Sequence, residues 1–118
     1  MPVTSVCIAL QSTVFAACGD TLFCFKPYED SLRVVARIGG VGTCIRNLVY
    51  LPPISRYTKG EIFAGDSSKS VKLFRFCEAS KEFKLKAEEG TTRNITALAK
   101  YDERYVCGGD VLGNVFIL

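Results

Sequence analysis

One short phrase occurs three times in this sequence and sets the period of the fold. It reads Phe15–Asp20, then Ile62–Asp66, then Tyr105–Asp110, and its Gly-Asp pairs lie 46 and then 44 residues apart. A polar turn and a short apolar run follow each copy. Repetition at about 40–45 residues, with strands as the units, is typical of β-propeller blades. The sequence therefore predicts an all-β fold made of consecutive four-stranded antiparallel propeller blades.

The strand pattern divides the chain into about two and two-thirds blades. We predict one blade over residues 1–38, a second over 43–88 and a partial third over 94–118, with eleven strands in all. In the first blade, Pro27–Ser31 is predicted as a polar connection. The strand after it places Leu32, Val34 and Ala36 on one face and Arg33, Val35 and Arg37 on the other, as expected of an outer strand with one wetted face.

The number of blades bears on the size of the protein. A closed propeller needs about four blades at least, and repeats of this kind bury their faces against neighbours. We therefore expect the chain to be a piece of something larger. The alternative is a small native protein that completes itself by oligomerising or by repacking as a sandwich.

Charge and cysteine content restrict the possible function classes. The net charge is +3, from 15 basic and 12 acidic residues, which is too balanced to imply nucleic-acid binding by electrostatics alone. Six cysteines lie mostly in apolar strand runs, and no histidine is present to complete a zinc site. We expect reduced thiols in an intracellular protein. No targeting segment and no membrane-spanning run are predicted.

Nothing in the sequence assembles a catalytic, metal or cofactor site. Asp20, Asp66 and Asp110 recur in equivalent places and are predicted to be turn residues, because Asp caps its own turn and Gly tolerates positive φ. The glycine cluster Gly39–Gly42 precedes a strand, whereas phosphate loops open a helix. Without histidine or a nucleophile elbow, a propeller hydrolase fragment is disfavoured.

Topology nevertheless places one set of polar residues together. In a propeller, the turn between second and third strands and the link between blades emerge on the same face. That face is predicted to carry a partner-binding patch made of Ser67, Ser68, Lys69 and Arg93. The competing interpretation is that these residues are solvated turns. On the opposite face, Pro52–Gly60 is predicted as a loop whose Arg56 and Tyr57 form a second possible contact.

Several segments go beyond a generic propeller pattern. They are Gly65–Phe76, Thr92–Ala97 and Tyr101–Phe116, with the order of elements running parallel over nearly all 118 residues. The chain resembles part of the third propeller in the family of very large triple-propeller scaffolds. Its members are the third subunit of splicing factor 3b, the large subunit of damaged-DNA-binding protein, and the large subunit of cleavage and polyadenylation specificity factor. The Asp110–Asn114 step is most similar to the splicing-factor branch, while the Pro52–Gly60 insertion departs from the family pattern.

The resemblance implies a WD40-like, non-enzymatic protein–protein scaffold in the nucleus. Its implied role lies in the splicing factor 3b complex, in branch-site recognition by U2 snRNP during pre-mRNA splicing. Implied partners are protein subunits, a helical-repeat subunit among them, with nucleic-acid binding indirect and with no cofactor and no membrane. The alternatives from the same family are an adaptor of a cullin ubiquitin ligase and a scaffold of pre-mRNA 3'-end processing.

Overall fold

The computed structural model describes eleven β-strands in three antiparallel sheets. The described residues are 3–9, 12–39, 44–53, 60–66, 70–77, 79–90, 95–102, 105–110 and 112–117. In these segments, no helix has the length and apolar character needed to cross a membrane.

Each sheet is a meander in which strands pair in chain order. The first sheet holds β1 (Val3–Ile8), β2 (Val14–Cys18), β3 (Thr21–Tyr28) and β4 (Ser31–Ile38). The second holds β5 (Ile45–Leu51), β6 (Glu61–Asp66), β7 (Ser70–Cys77) and β8 (Glu82–Gly90). The third holds β9 (Ile95–Lys100), β10 (Val106–Asp110) and β11 (Val115–Ile117). The predicted all-β fold of consecutive antiparallel blades is confirmed.

The sheets stand side by side through their first strands. Strand β1 lies against β5, and β5 lies against β9, while the outer strands β4 and β8 also approach each other. Direct hydrogen bonds join the first two sheets: the Ile45 amide donates to the Gly19 carbonyl at 2.8 Å, and the Leu48 amide donates to the Ser5 hydroxyl at 3.1 Å. The Thr4 hydroxyl donates to the Ile45 carbonyl at 2.6 Å. Neighbouring inner strands of this kind are the arrangement of propeller blades.

The main hydrophobic core fills the space between the first and second sheets. Its buried members are Phe15, Ala17, Leu22, Cys24, Ile45, Leu48, Ile62, Ala64 and Phe74. A smaller core between the second and third sheets contains Val49, Leu51 and Val106. The opposite face of the first sheet is open, since Val6 and Ile8 on β1 are 55% and 72% exposed.

Every sheet has an extra residue near the start of its first strand. These bulge residues are Thr4, Arg46 and Thr96. The residue before each bulge pairs with the last residue of the second strand, which is Cys18 in the first sheet, Asp66 in the second and Asp110 in the third. Cys18, Asp66 and Asp110 are therefore the structurally equivalent positions.

This equivalence corrects the prediction that the three Gly-Asp pairs occupy equivalent places. Gly19 and Asp20 form the two-residue turn between β2 and β3, and Gly19 adopts a φ of 63°. Gly65 and Asp66 instead end β6, as Gly109 and Asp110 end β10. Relative to the strand pairing, the first copy therefore lies two residues later than the other two, inside a hairpin turn that is shorter than theirs.

The predicted alternation of the outer strand β4 is wrong. Cys24 pairs with Ala36 and Phe25 with Val34, so Val35 is an extra, bulged residue. Because a one-residue insertion exchanges the two faces of a strand, Val35 and Ala36 both pack against the core. Leu32 and Val34, by contrast, are 51% and 50% exposed.

The predicted connection over residues 27–31 is also shorter in the structure. Strand β3 continues through Pro27 to Tyr28, which pairs with Ser31 across a turn that holds Glu29 at a φ of 54°. Proline is tolerated here because β2 begins at Val14, opposite Phe25, so the part of β3 beyond Phe25 has a neighbouring strand on one side only.

Candidate functional site

The strand ends next to the predicted partner-binding patch lie at one end of the second sheet, which we name the loop face. Ile45 pairs with Asp66, and Ser70 with Gly90, so four strand ends of the second sheet meet there. The hydrogen bond from the Ile45 amide to the Gly19 carbonyl brings the β2–β3 turn to the same end. The described strand ends of the second sheet and the β2–β3 turn of the first sheet thus lie at the same end.

The individual residues of the patch stay a prediction. Ser67, Ser68, Lys69 and Arg93 lie outside the described residues, as do Arg56 and Tyr57 of the loop predicted on the opposite face. The structure fixes only the strand ends beside them, with Asp66 directly before the first three and Ser70 directly after them.

A buried ion pair lies at the base of the loop face. The Lys72 ammonium is 2.9 Å from the Asp66 carboxylate, and their side chains are 9% and 3% exposed. The partly exposed Glu88 carboxylate lies 3.7 Å from the same ammonium. Asp66 thus has a buried cationic partner that the sequence analysis did not predict. The available signal was Lys72 itself, a charge inside the apolar run after the second Gly-Asp pair.

Asp110, in contrast, caps its own turn as predicted. Its Oδ1 accepts hydrogen bonds from the Leu112 and Asn114 amides, both at 3.0 Å. Its Oδ2 accepts from the Asn114 side-chain amide at 3.2 Å. Gly113 adopts a φ of 86°, which lets the chain turn back into β11. Asp20 is exposed in its own turn, where its carboxylate accepts a bond from the Thr21 hydroxyl at 3.1 Å.

We expect Asp110→Ala to lower the free energy of unfolding by about 1.5–3 kcal/mol, because two backbone donors lose a charged acceptor. Asp110→Asn keeps an acceptor oxygen and should lose less. Asp20→Ala, at the exposed turn, is the matched control and should stay within about 0.5 kcal/mol of wild type. Urea unfolding of the three variants measures this order. Equal losses from Asp20→Ala and Asp110→Ala would contradict the capping role.

The described residues offer little for metal or thiol chemistry. In the ranges that the structure covers, no group of three His, Cys, Asp or Glu side chains gathers to hold a metal ion. Cys24 is buried, and the other cysteines are partly buried. Burial raises the pKa of Cys7 to about 12, so this thiol stays protonated at neutral pH. The protonated form is a poor nucleophile and a poor metal ligand.

Comparison with known proteins gives a consistent result. Residues 1–118 match the family described as CPSF A subunit region. The chain is 28% identical over 125 residues to pre-mRNA-splicing factor RSE1 of Eremothecium gossypii, across 94% of this chain and 10% of that protein. It is 35% identical over 74 residues to pre-mRNA-splicing factor RSE1 of Debaryomyces hansenii, across 60% of this chain and 6% of that protein.

The chain thus spans about a tenth or less of the length of these two relatives. The family match nonetheless covers the whole chain, and both relatives are named as splicing factors. The chain therefore belongs to the CPSF A subunit family, the triple-propeller scaffold family that its sequence resembles, on the splicing-factor side.

Proposed function

We propose that the chain is part of a non-enzymatic protein–protein scaffold in the splicing factor 3b complex, acting in branch-site recognition by U2 snRNP. The observation that carries this proposal is the similarity to two splicing factors named RSE1. The protein would then act in the nucleus, hold a helical-repeat subunit, and contact RNA only indirectly.

The roles of the described charged residues support a scaffold. Asp66 is bound to Lys72 inside the second sheet, and Asp110 holds the β10–β11 turn. Both of these repeated aspartates therefore serve the fold. A protein of this kind acts through the surfaces that its blades present to partners.

A second candidate function follows from the family description, which names a CPSF subunit. A scaffold of pre-mRNA 3'-end processing would be built from the same blades. The two functions differ in their partners, so partner identity decides between them.

The test is affinity purification of the protein from its own cells, with mass spectrometry of the retained proteins. Recovery of branch-site splicing subunits, a helical-repeat protein among them, is the expected result. Recovery of cleavage and polyadenylation subunits would establish the second candidate instead. Cullin and substrate-receptor subunits would overturn both.

The same purification tests the predicted patch of Ser67, Ser68, Lys69 and Arg93. We propose that it docks a protein subunit, so the double variant Lys69→Glu/Arg93→Glu should lose one retained protein or more. The control is Arg33→Glu/Lys100→Glu, which makes the same charge change at two exposed residues away from the loop face. An unchanged set of retained proteins in the first variant would dispose of the patch and leave the scaffold function standing.

A further inference from the structure

A partly open cavity of about 90 Å³ lies between β7 and β8, toward the hairpin that joins them. It is lined by Arg75, Phe76, Cys77, Lys84 and Lys86, and we name it the basic pocket. Because Cys77 pairs with Glu82 at this end and Ser70 with Gly90 at the other, the pocket lies away from the loop face. Its volume accommodates several water molecules or a carboxylate group.

The three cations of the pocket are poorly compensated. Arg75 pairs directly with Lys84 across the two strands, and like charges in that position destabilise a sheet. Among the described residues, the one carboxylate within 4 Å of these cations is Glu61, at 3.9 Å from the Arg75 guanidinium. The Arg75 Nε is buried and, within the described residues, has no hydrogen-bond partner. The hydrogen-bonding capacity of this guanidinium is therefore only partly used by the described chain.

The first sheet provides an internal comparison. Its Lys26 and Arg33 pair across β3 and β4 at the position equivalent to Arg75 and Lys84. There, however, both cations have partners: the Lys26 ammonium donates to the Thr13 hydroxyl at 2.8 Å, and the Arg33 guanidinium lies 4.9 Å from the centre of the Tyr28 ring. The same cation pair is thus satisfied internally in one blade and left open in the next.

The first two sheets also differ in the residue at the bulge of their outer strands. In β4 it is occupied by Val35, which packs against the core. In β8 the corresponding extra residue is Lys86, because Leu73 pairs with Ala87 and Phe74 with Leu85. Lysines on an edge strand also discourage strand-to-strand aggregation. That role explains the exposed Lys84 and Lys86, but it does not explain why both line one cavity with Arg75.

We propose that the basic pocket binds a carboxylate side chain from an acidic segment of a protein partner. The inference rests on the scaffold function proposed above and deepens it by giving the chemistry of one partner. Charge complementarity is the main argument: three cations line one small cavity, and a carboxylate placed there pairs with Lys84 and with the Arg75 side chain, which is 39% exposed.

A nucleic acid fits this site less well. Glu82 on strand β8 is exposed and lies two residues before Lys84 on the same face of the sheet. Nucleic-acid binding needs a track of cations matched to many phosphates, and a phosphate backbone following the strand would meet this carboxylate. A single carboxylate makes contact at the pocket alone.

The test uses the protein purified from its own cells and a fluorescein-labelled peptide of eight glutamates, followed by fluorescence anisotropy at low salt. Inorganic phosphate and an RNA octanucleotide serve as competitors. The double variant Lys84→Gln/Lys86→Gln should raise the Kd of the peptide about ten-fold, as expected for the loss of two exposed ion pairs. Arg75→Gln should also weaken binding. Arg33→Gln, the matched control in the first sheet, should change the Kd less than about two-fold.

Both lysines are exposed, so the double variant is expected to fold, and its urea unfolding curve checks this. Three results would overturn the proposal: an unchanged peptide Kd in the lysine variant, an equal loss in Arg33→Gln, or an RNA octanucleotide that binds more tightly than the peptide. If any of these occurs while the purified protein still retains splicing subunits, the basic pocket is excluded and the proposed function stands. If the wild-type protein retains no splicing subunits in the affinity purification, the proposed splicing function is overturned.

Discussion

Lys72→Met is expected to lower the free energy of unfolding by about 3–5 kcal/mol, the range for breaking a buried ion pair from one side. Methionine keeps the length of the lysine stem but removes its charge. The Asp66 carboxylate, whose side chain is 3% exposed, then loses the ammonium at 2.9 Å while it stays buried. Glu88 has little to lose, because its side chain is half exposed. Urea unfolding followed by circular dichroism measures the change.

The first sheet suggests the compensating variant. Its residue at the position of Asp66 is Cys18, and at the position of Lys72 it is Phe23, so the same architecture is built there without an ion pair. Asp66→Cys/Lys72→Met should therefore recover most of the stability lost by Lys72→Met, since a buried pair replaced by apolar groups is often neutral. Lys100→Met, at an exposed strand position, should change stability by less than about 0.5 kcal/mol. A Lys72→Met cost as small as that of the control would show that the pair is solvated.

The strands themselves were predictable because their signals are local. Apolar runs bounded by Gly, Asp and other turn residues recur along the chain, and each of the eleven predicted strands is present in the structure. The repeat also led to an error. Matching Gly19-Asp20 with Gly65-Asp66 aligned identical residues in the sequence. The strand pairing instead makes Cys18 structurally equivalent to Asp66. The identity of a repeated position depends on its cross-strand partner, which a single strand does not encode.

Bulges account for the other differences between the strand faces predicted from the sequence and those in the structure. Val35 is an extra residue in β4, and Lys86 is its counterpart in β8. An alternating sequence predicts which side chains share a face only if every residue is paired, so one bulge reverses the prediction beyond it. The buried partner of Asp66 was missed for a related reason. Lys72 approaches Asp66 through the β6–β7 pairing, and the sequence shows only an isolated charge in an apolar run.

The candidate binding surfaces were also predictable only in part. The loop face followed from topology, because chain order within a meander decides which turns emerge together. The basic pocket did not, because it depends on Arg75 and Lys84 being opposite each other and on Lys86 being bulged. Long-range pairing creates that juxtaposition, and the internal comparison with Lys26 and Arg33 has meaning only after the sheets are aligned.

Phe15→Ala is the second variant with a large expected effect, a loss of about 3–5 kcal/mol, as for other fully buried phenylalanines. Phe15 is 2% exposed and sits on β2 of the first sheet. Its ring contacts three aromatic rings of the second sheet, with centroid distances of 6.0 Å to Tyr50, 5.9 Å to Phe76 and 5.8 Å to Phe83. Removing the Phe15 ring leaves a cavity at the centre of the interface between the two sheets. Thermal and urea unfolding of the variant measure the loss.

Phe23→Ala is the control that shows whether the loss for Phe15→Ala is specific to the interface between the first two sheets. Phe23 pairs with Ala16, one residue along β2 from Phe15, so it lies on the other face of the first sheet, beside the exposed Val6. Its partly exposed ring should cost about 1–2 kcal/mol when truncated, because less apolar surface returns to water. The ratio of the two losses therefore reports which face of the first sheet is docked. Equal losses would mean that both faces of the first sheet are covered to the same extent. The interface around Phe15 would then no longer account for the stability of the first two blades.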